Sequence, residues 1–206
     1  MGALIGLAGA HRTGKTTLAR LIAKSIGIEL VDASVRTVFE QLGVDPKEDY
    51  SFDKRLWVQN EILAHAANRY AGVKGIGIVD RTPLDFLAYT MADVQRGNLS
   101  PQQSDQFIEY MTRCVELANW HFSMIVLVQP GIPLTECDTS APALPAYMEH
   151  INTILKGLMA ERTVAVPTTA IPRGVIDLTL RGRMVVQSHN RVHQQAKASM
   201  AEHSAH

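Results

Sequence analysis

Leu4-Ile5-Gly6-Leu7-Ala8-Gly9-Ala10-His11-Arg12-Thr13-Gly14-Lys15-Thr16-Thr17-Leu18-Ala19-Arg20-Leu21-Ile22 is the stretch on which the fold turns. It begins as an apolar run, residues 3–8, that reads as a buried strand. It continues as residues 16–26, where Leu18, Leu21 and Ile22 recur at helical spacing. Between strand and helix, Gly9 to Thr16 satisfies G-x-x-x-x-G-K-[ST] in full. The residue types have a physical logic. Glycines let the backbone wrap closely around phosphate oxygens. Successive N–H groups and the helix N-terminus favour an anion. A lysine supplies a point charge to β- and γ-phosphates, and a hydroxyl ligates Mg²⁺. ATP and Mg²⁺ are therefore the expected cofactors. Gly9, Ala10, His11, Arg12, Thr13, Gly14, Lys15, Thr16 and Thr17 form the nucleotide-binding set, with Thr16 on the metal. Arg12 has two readings: a guanidinium that spreads the charge of a transferring phosphoryl group, or a solvated loop residue.

Working outward, short apolar runs alternate with longer amphipathic ones. Strands are predicted at 28–32, 75–79, 124–128 and 163–166. Helices are predicted at 35–42, 52–71, from Pro83 through Val94, from Pro101 to about Trp120, at 146–160, and from Gly174 to about Lys197. The tail from about 190 to 206 is expected to fray. This alternation predicts one α/β domain over 1–206: a three-layer, open, parallel five-stranded sheet with helices on both faces. Four prolines, Pro130, Pro133, Pro142 and Pro145, mark a loop that reads as a flexible lid.

Composition excludes several classes. The chain has 206 residues, 46% of them apolar, and 20 basic residues balance 20 acidic ones. A neutral chain carries no broad electrostatic footprint for duplex nucleic acid or an anionic membrane, although a local basic groove stays open. Disorder as the dominant state is excluded. No apolar stretch approaches the ~20 residues of a membrane span. Cys114 and Cys137 are too few for a disulfide framework. A cytoplasmic chain is expected, with no signal peptide, and a homodimer is left open. No His/Cys cluster suggests zinc.

Asp80 closes the third predicted strand, where a carboxylate can face a metal, and the run continues Arg81-Thr82-Pro83-Leu84-Asp85-Phe86-Leu87-Ala88-Tyr89. This run resembles the thymidylate kinases, whose pattern there is D-R-x-x-x-S-x-x-A-[YF]-Q. Asp80, Arg81, Ala88 and Tyr89 fall in register, while Asp85 stands for the serine. Arg12 also matches the arginine that one class of these enzymes carries in its cradle. Deoxynucleoside kinases share the acidic-Arg pair, and bacteriophage P-loop kinases, including those of hydroxymethyluracil in DNA, are similar in plan. The resemblance implies strand order 2-3-1-4-5 and a lid near 130–145. It implies that Arg12 and Arg81 stabilise transferred charge, because residues 114–155 contain no Lys or Arg to serve as lid cations. After the second strand, Asp32-Ala33-Ser34-Val35-Arg36 replaces the family's R-E-P-G-G-T. Arg36 would then hold the acceptor's phosphate, and His11 replaces an acidic residue that contacts the acceptor sugar.

The resemblance implies a nucleotide-type acceptor, with a deoxynucleoside monophosphate first. The alternative is a hydroxymethyl group on a pyrimidine, free or as a modified base in DNA. An alcohol needs a base to take its proton. Asp32 is the candidate, with a helix-capping role as its other reading, and Asp85 is a second candidate, with a first-turn helix charge as its other reading. Tyr89 reads as core or acceptor-facing. Arg173 reads as a guanidinium stacked on the adenine ring. Lys54, Arg55 and Arg69 read as solvated helix face, Trp57 and Trp120 as core or interface, and His150 as structural. A regulatory NTP-binding switch is a further reading.

Overall fold

The structure is a computed structural model that describes residues 4–94, 99–134 and 144–204. Its elements run β1 (Leu4–Ala8), α1 (Lys15–Ile26), β2 (Glu29–Val31), α2 (Val35–Leu42), α3 (Phe52–Ala71) and β3 (Gly77–Asp80). They continue α4 (Pro83–Asp93), α5 (Pro101–His121), β4 (Phe122–Val128), α6 (Pro145–Ala160), β5 (Thr168–Ile171) and α7 (Leu178–Ser204). All strand pairs are parallel, in the order β2-β3-β1-β4-β5. The parallel five-stranded sheet is the one the alternation predicted, in the order the resemblance implied.

The central strands β1, β3 and β4 are buried on both faces because they are almost wholly apolar, while the edge strands β2 and β5 are partly exposed. β1 shows how the two-residue period sorts the core. Leu4 and Ala8 join one apolar cluster with Val79, Ile125 and Leu127, covered by α3 to α6. Ile5 and Leu7 join the other with Ile78, Met124 and Val126, against Leu18 and Ile22 of α1 and Val185 of α7. Local signals set the helix starts. Ser51 accepts from the Lys54 N–H at 3.3 Å. Ser100 and Gln103 form a reciprocal capping box ahead of Pro101 at the first turn. Five parallel strands bring the turns after β1, β2, β3 and β4 to one edge, where open α/β sheets bind ligands.

One expectation fails locally. The fifth strand is not at 163–166 but at Thr168–Ile171. Residues before it are held otherwise: Val164 N–H closes a turn on Glu161 O at 3.1 Å, and Asn119 Oδ1 accepts from the N–H groups of Ala165 and Val166. Pairing with β4 starts only at the Pro167 carbonyl, which accepts from Ile125 N–H at 2.9 Å. The helix predicted to about Lys197 continues to Ser204 as α7, with Val192 packed on the second core. Of the predicted lid, residues 135–143 lie outside the described residues, and so does Cys137.

Leu7 is fully buried at the centre of the sheet. Leu7→Ala is expected to cost about 2–5 kcal/mol, the range for buried leucine truncation, read as a lowered midpoint in urea denaturation with unchanged slope.

Candidate active site

The loop between β1 and α1 is the geometric centre of the site. Gly9 (φ +153°) and Gly14 (φ +84°) lie in backbone regions that side chains rarely adopt. A Cβ on Gly9 would stand 2.5 Å from the Val128 carbonyl oxygen, so the loop is also held tightly against β4. Lys15 folds back over this loop and is only 6% exposed. Its Nζ donates to the Gly9 and Ala10 carbonyls at 2.7 and 2.8 Å. Burial lowers its pKa to about 8, opposed by the nearby carboxylate of Asp85.

Asp85 is the first large surprise. It is fully buried, and its oxygens accept from Gly9 N–H at 2.8 Å, Thr82 N–H at 2.7 Å and the Thr82 hydroxyl at 2.8 Å. The expectation of an acceptor-side base therefore fails for Asp85. The carboxylate caps α4 and ties that helix to the cradle. Burial raises its pKa, countered by Lys15 and by the Gly9 and Thr82 N–H groups.

At the tip of β3, the Thr16 hydroxyl donates to Asp80 Oδ2, while Asp80 Oδ1 is buried without a hydrogen-bond partner. A buried, unpartnered carboxylate oxygen beside a hydroxyl suits a hard cation that keeps waters and takes its remaining ligands from phosphates. The donor set fits Mg²⁺, and among the described residues no cluster of three His, Cys, Asp or Glu offers a denser site. Arg81 follows in left-handed backbone (φ 85°), with its N–H on the Leu7 carbonyl at 3.1 Å. Arg12 shares that unusual conformation (φ 60°). Thr17 is exposed on the first turn of α1.

A cavity of about 600 Å³ opens beside the cradle. His11 and Arg81 form the wall shared with the loop, and Phe39, Phe86, Tyr89 and Tyr147 supply most of the aromatic lining. Tyr89 lines this cavity rather than the core of the sheet. Its hydroxyl accepts from His11 N–H at 2.9 Å and lies 3.3 Å from His11 Nδ1, while the Arg81 guanidinium stands 5.7 Å from its ring centre. Burial raises the Tyr89 pKa. Tyr147 sits 6.0 Å from the His11 ring and 6.2 Å from the Tyr89 ring.

Other expected residues lie elsewhere. Asp32 is exposed and does not line the cavity, and the cap of α2 is Ser34, so neither reading of Asp32 stands. Its carbonyl instead receives the Arg69 guanidinium at 2.9 Å. Arg36 points away and pairs with Glu40 one helical turn on. Arg173 does not sit open for an adenine ring, because both its terminal nitrogens engage Glu149 of α6. That pairing lowers the Glu149 pKa.

Sequence reasoning missed four contributors. Arg55, expected on a solvated face, turns into the cavity wall and bridges Asp49 at 2.5 Å and Asp93 at 3.2 Å. Asp93 was legible in retrospect, since Phe86, Tyr89 and Asp93 share one face of α4. Tyr147 follows Pro145 on α6, in a segment read only as helix. Arg181 of α7 is fully buried behind the cradle.

A glycine loop, a buried lysine and a hydroxyl–carboxylate pair on the edge of a 2-3-1-4-5 sheet define a P-loop fold of the nucleotide-kinase kind. Residues 4–177 match the family model described as an AAA domain, and the chain belongs to that family. No curated protein matches significantly. Among solved structures, the chain is similar to deoxyadenosine kinase from M. mycoides with products dCMP and a flexible dCDP bound (16% identity, TM-score 0.65, covering 91% of this chain and 99% of that one). It is also similar to the NadR protein in complex with NR (17% identity, TM-score 0.65, covering 92% of this chain and 49% of that one). The chain thus spans about half the length of that NadR chain. YorR from Bacillus subtilis, in complex with phosphorylated GDP, is similar at 14% identity and TM-score 0.51, covering 93% and 98%. At these identities the likeness is one of fold.

Because Lys15 is held at a pKa of about 8 against 10.5, the unfolded chain binds the extra proton between those values. Its contribution to stability therefore rises with pH across that window. The stability of the parent relative to Lys15→Met is expected to rise from pH 8 towards 10.5 in parallel urea titrations; a difference that stays constant contradicts the burial argument.

Proposed function

We propose that this chain is an ATP-dependent, Mg²⁺-requiring kinase whose acceptor is a nucleoside monophosphate, a deoxynucleotide first. One observation carries the reading: the cradle and the aromatic cavity share a wall made of His11 and Arg81. A donor phosphate in the loop and a planar acceptor in the cavity would meet at that wall.

The roles follow from chemistry. Backbone N–H groups of 9–16 and the Lys15 ammonium hold the triphosphate. Thr16 and Asp80 would hold Mg²⁺, which supplies charge neutralisation at the β- and γ-phosphates. Thr17 continues the N–H row at the start of α1. An oxygen of the acceptor phosphate attacks the γ-phosphorus, the bond to the β–γ bridging oxygen breaks, and ADP leaves with that electron pair. Arg12 and Arg81 face the charge that spreads during transfer.

A phosphate acceptor suits the cavity better than an alcohol. It is already an anion at neutral pH and needs positioning more than deprotonation. Asp32, the base an alcohol would have used, stands outside the cavity, whereas Arg81 lines it. The ligands named for the deoxyadenosine kinase, dCMP and dCDP, support an acceptor of that size and shape. The match of Asp80, Arg81, Ala88 and Tyr89 to the thymidylate-kinase pattern supports it as well.

The test is transfer of label from γ-labelled ATP to separate pools of deoxynucleoside monophosphates, nucleosides and hydroxymethyluracil-containing DNA. Label in the monophosphate pool is expected, and Lys15→Ala should lower that turnover by at least ~10²-fold. Label confined to nucleosides or to the modified DNA would replace the phosphate acceptor by an alcohol. ATP loss that is the same with and without every pool would mark a regulatory switch and end the kinase reading.

A further inference from the structure

Arg181 is the most buried charge that this mechanism leaves unused. It sits in the first turn of α7 and has no accessible surface. Its guanidinium meets only carbonyls: Nη1 donates to Thr13 O at 3.0 Å, Nε to Val175 O at 2.9 Å and Nη2 to Gln129 O at 3.5 Å. Among the described residues no carboxylate pairs with it. Asp177, the acid nearest in sequence, has its Oδ1 on the Leu180 N–H at 2.7 Å. A buried cation without a counter-anion is expensive. Its place in a helix's first turn adds to that cost, since the positive end of the macrodipole disfavours a cation. The three carbonyls offset part of the desolvation, but among the described residues no anion balances the charge.

The carbonyl that Arg181 grips most closely within the cradle decides where compensation comes from. The Thr13–Gly14 peptide is trans, as are all those described. In a trans peptide C=O and N–H point in opposite directions. Holding the Thr13 carbonyl outward turns the Gly14 N–H toward the space that the loop encloses. A charge-assisted bond on the carbonyl also polarises that N–H as a donor. The contact is tight: a Cβ on Gly14 would lie 3.3 Å from Arg181 Nη1.

We infer that Arg181 is a positioning residue whose missing counter-charge is the polyphosphate of the bound nucleotide, reached through the Thr13–Gly14 peptide, so that nucleotide binding and the seating of α7 on the cradle are one coupled event. The inference rests on the P-loop nucleotide site and not on the identity of the acceptor. Burial depresses the Arg181 pKa.

The experiment compares the parent with Arg181→Met and Arg181→Lys, using ADP with Mg²⁺ as the probe. Calorimetry gives Kd, and thermal unfolding gives Tm with and without ADP. Arg181→Met is expected to leave ligand-free Tm unchanged or higher, to raise Kd for ADP by about tenfold or more, and to lose most of the ADP-induced rise in Tm. Arg181→Lys, which keeps the charge but not the fork, should recover part of that affinity. In turnover assays the loss should fall on KM for ATP more than on kcat. A merely structural arginine gives the opposite pattern: a lower ligand-free Tm with ADP affinity within twofold of the parent, and that result overturns the inference. If Arg181→Met does not fold, Arg181→Lys decides alone, and unchanged ADP affinity rejects the coupling. Should the parent bind ADP but transfer label to no acceptor, the kinase reading fails while this one is still measurable.

Discussion

A single buried carboxylate, Asp85, ties the glycine loop to the helix that walls the aromatic cavity. It reaches back from the first turn of α4 to the Gly9 N–H, and it faces the ammonium of Lys15. Both sites depend on that position. The cradle keeps its shape partly because Gly9 is pinned, and the cavity keeps its wall because Phe86 and Tyr89 ride on the same helix. Tyr89 adds a second tie, through its hydroxyl, to His11. The helix that walls the cavity is thus bonded twice to the glycine loop. A charge so deeply buried is tolerable because three N–H and O–H donors and two nearby cations surround it.

Much of the fold was legible because it depends on short-range periodicity. The apolar run at 3–8, the glycine turn and the Leu18, Leu21, Ile22 spacing fix β1, the loop and α1 without long-range information. The helix predicted at 52–71 coincides with α3, since Ser51 announces its start. The fifth strand was misplaced for a physical reason. Residues 163–166 are apolar and β-branched enough for a strand, but the side chain of Asn119, far away in sequence, takes up their N–H groups. No local pattern reports such a competitor.

The candidate site divides along the same line. The cradle residues and the Asp80–Arg81 pair could be read from spacing, because a contiguous backbone builds them. The cavity could not, because its wall comes from α2, α3, α4 and α6. Arg55 illustrates the difficulty: helical spacing put it on the outer face of α3, yet Asp49 and Asp93 draw it into the wall. Asp32 and Arg36 err in the opposite direction. They stand at the correct edge of the sheet, but they turn outward, to solvent and to Glu40.

Arg12 and Arg81 both adopt left-handed backbone, which glycine, asparagine or aspartate would take more easily. A side chain retained there against conformational preference carries more information than one in a relaxed strand. The two positions form a compact fingerprint: one arginine at the tip of each of two neighbouring strands, each on a backbone that resists it. Chains of this fold with uncertain acceptors can be sorted by whether arginine or a small turn-former occupies those tips. The same comparison distinguishes architectures that bring their cations on the cradle from those that must borrow them from a closing segment.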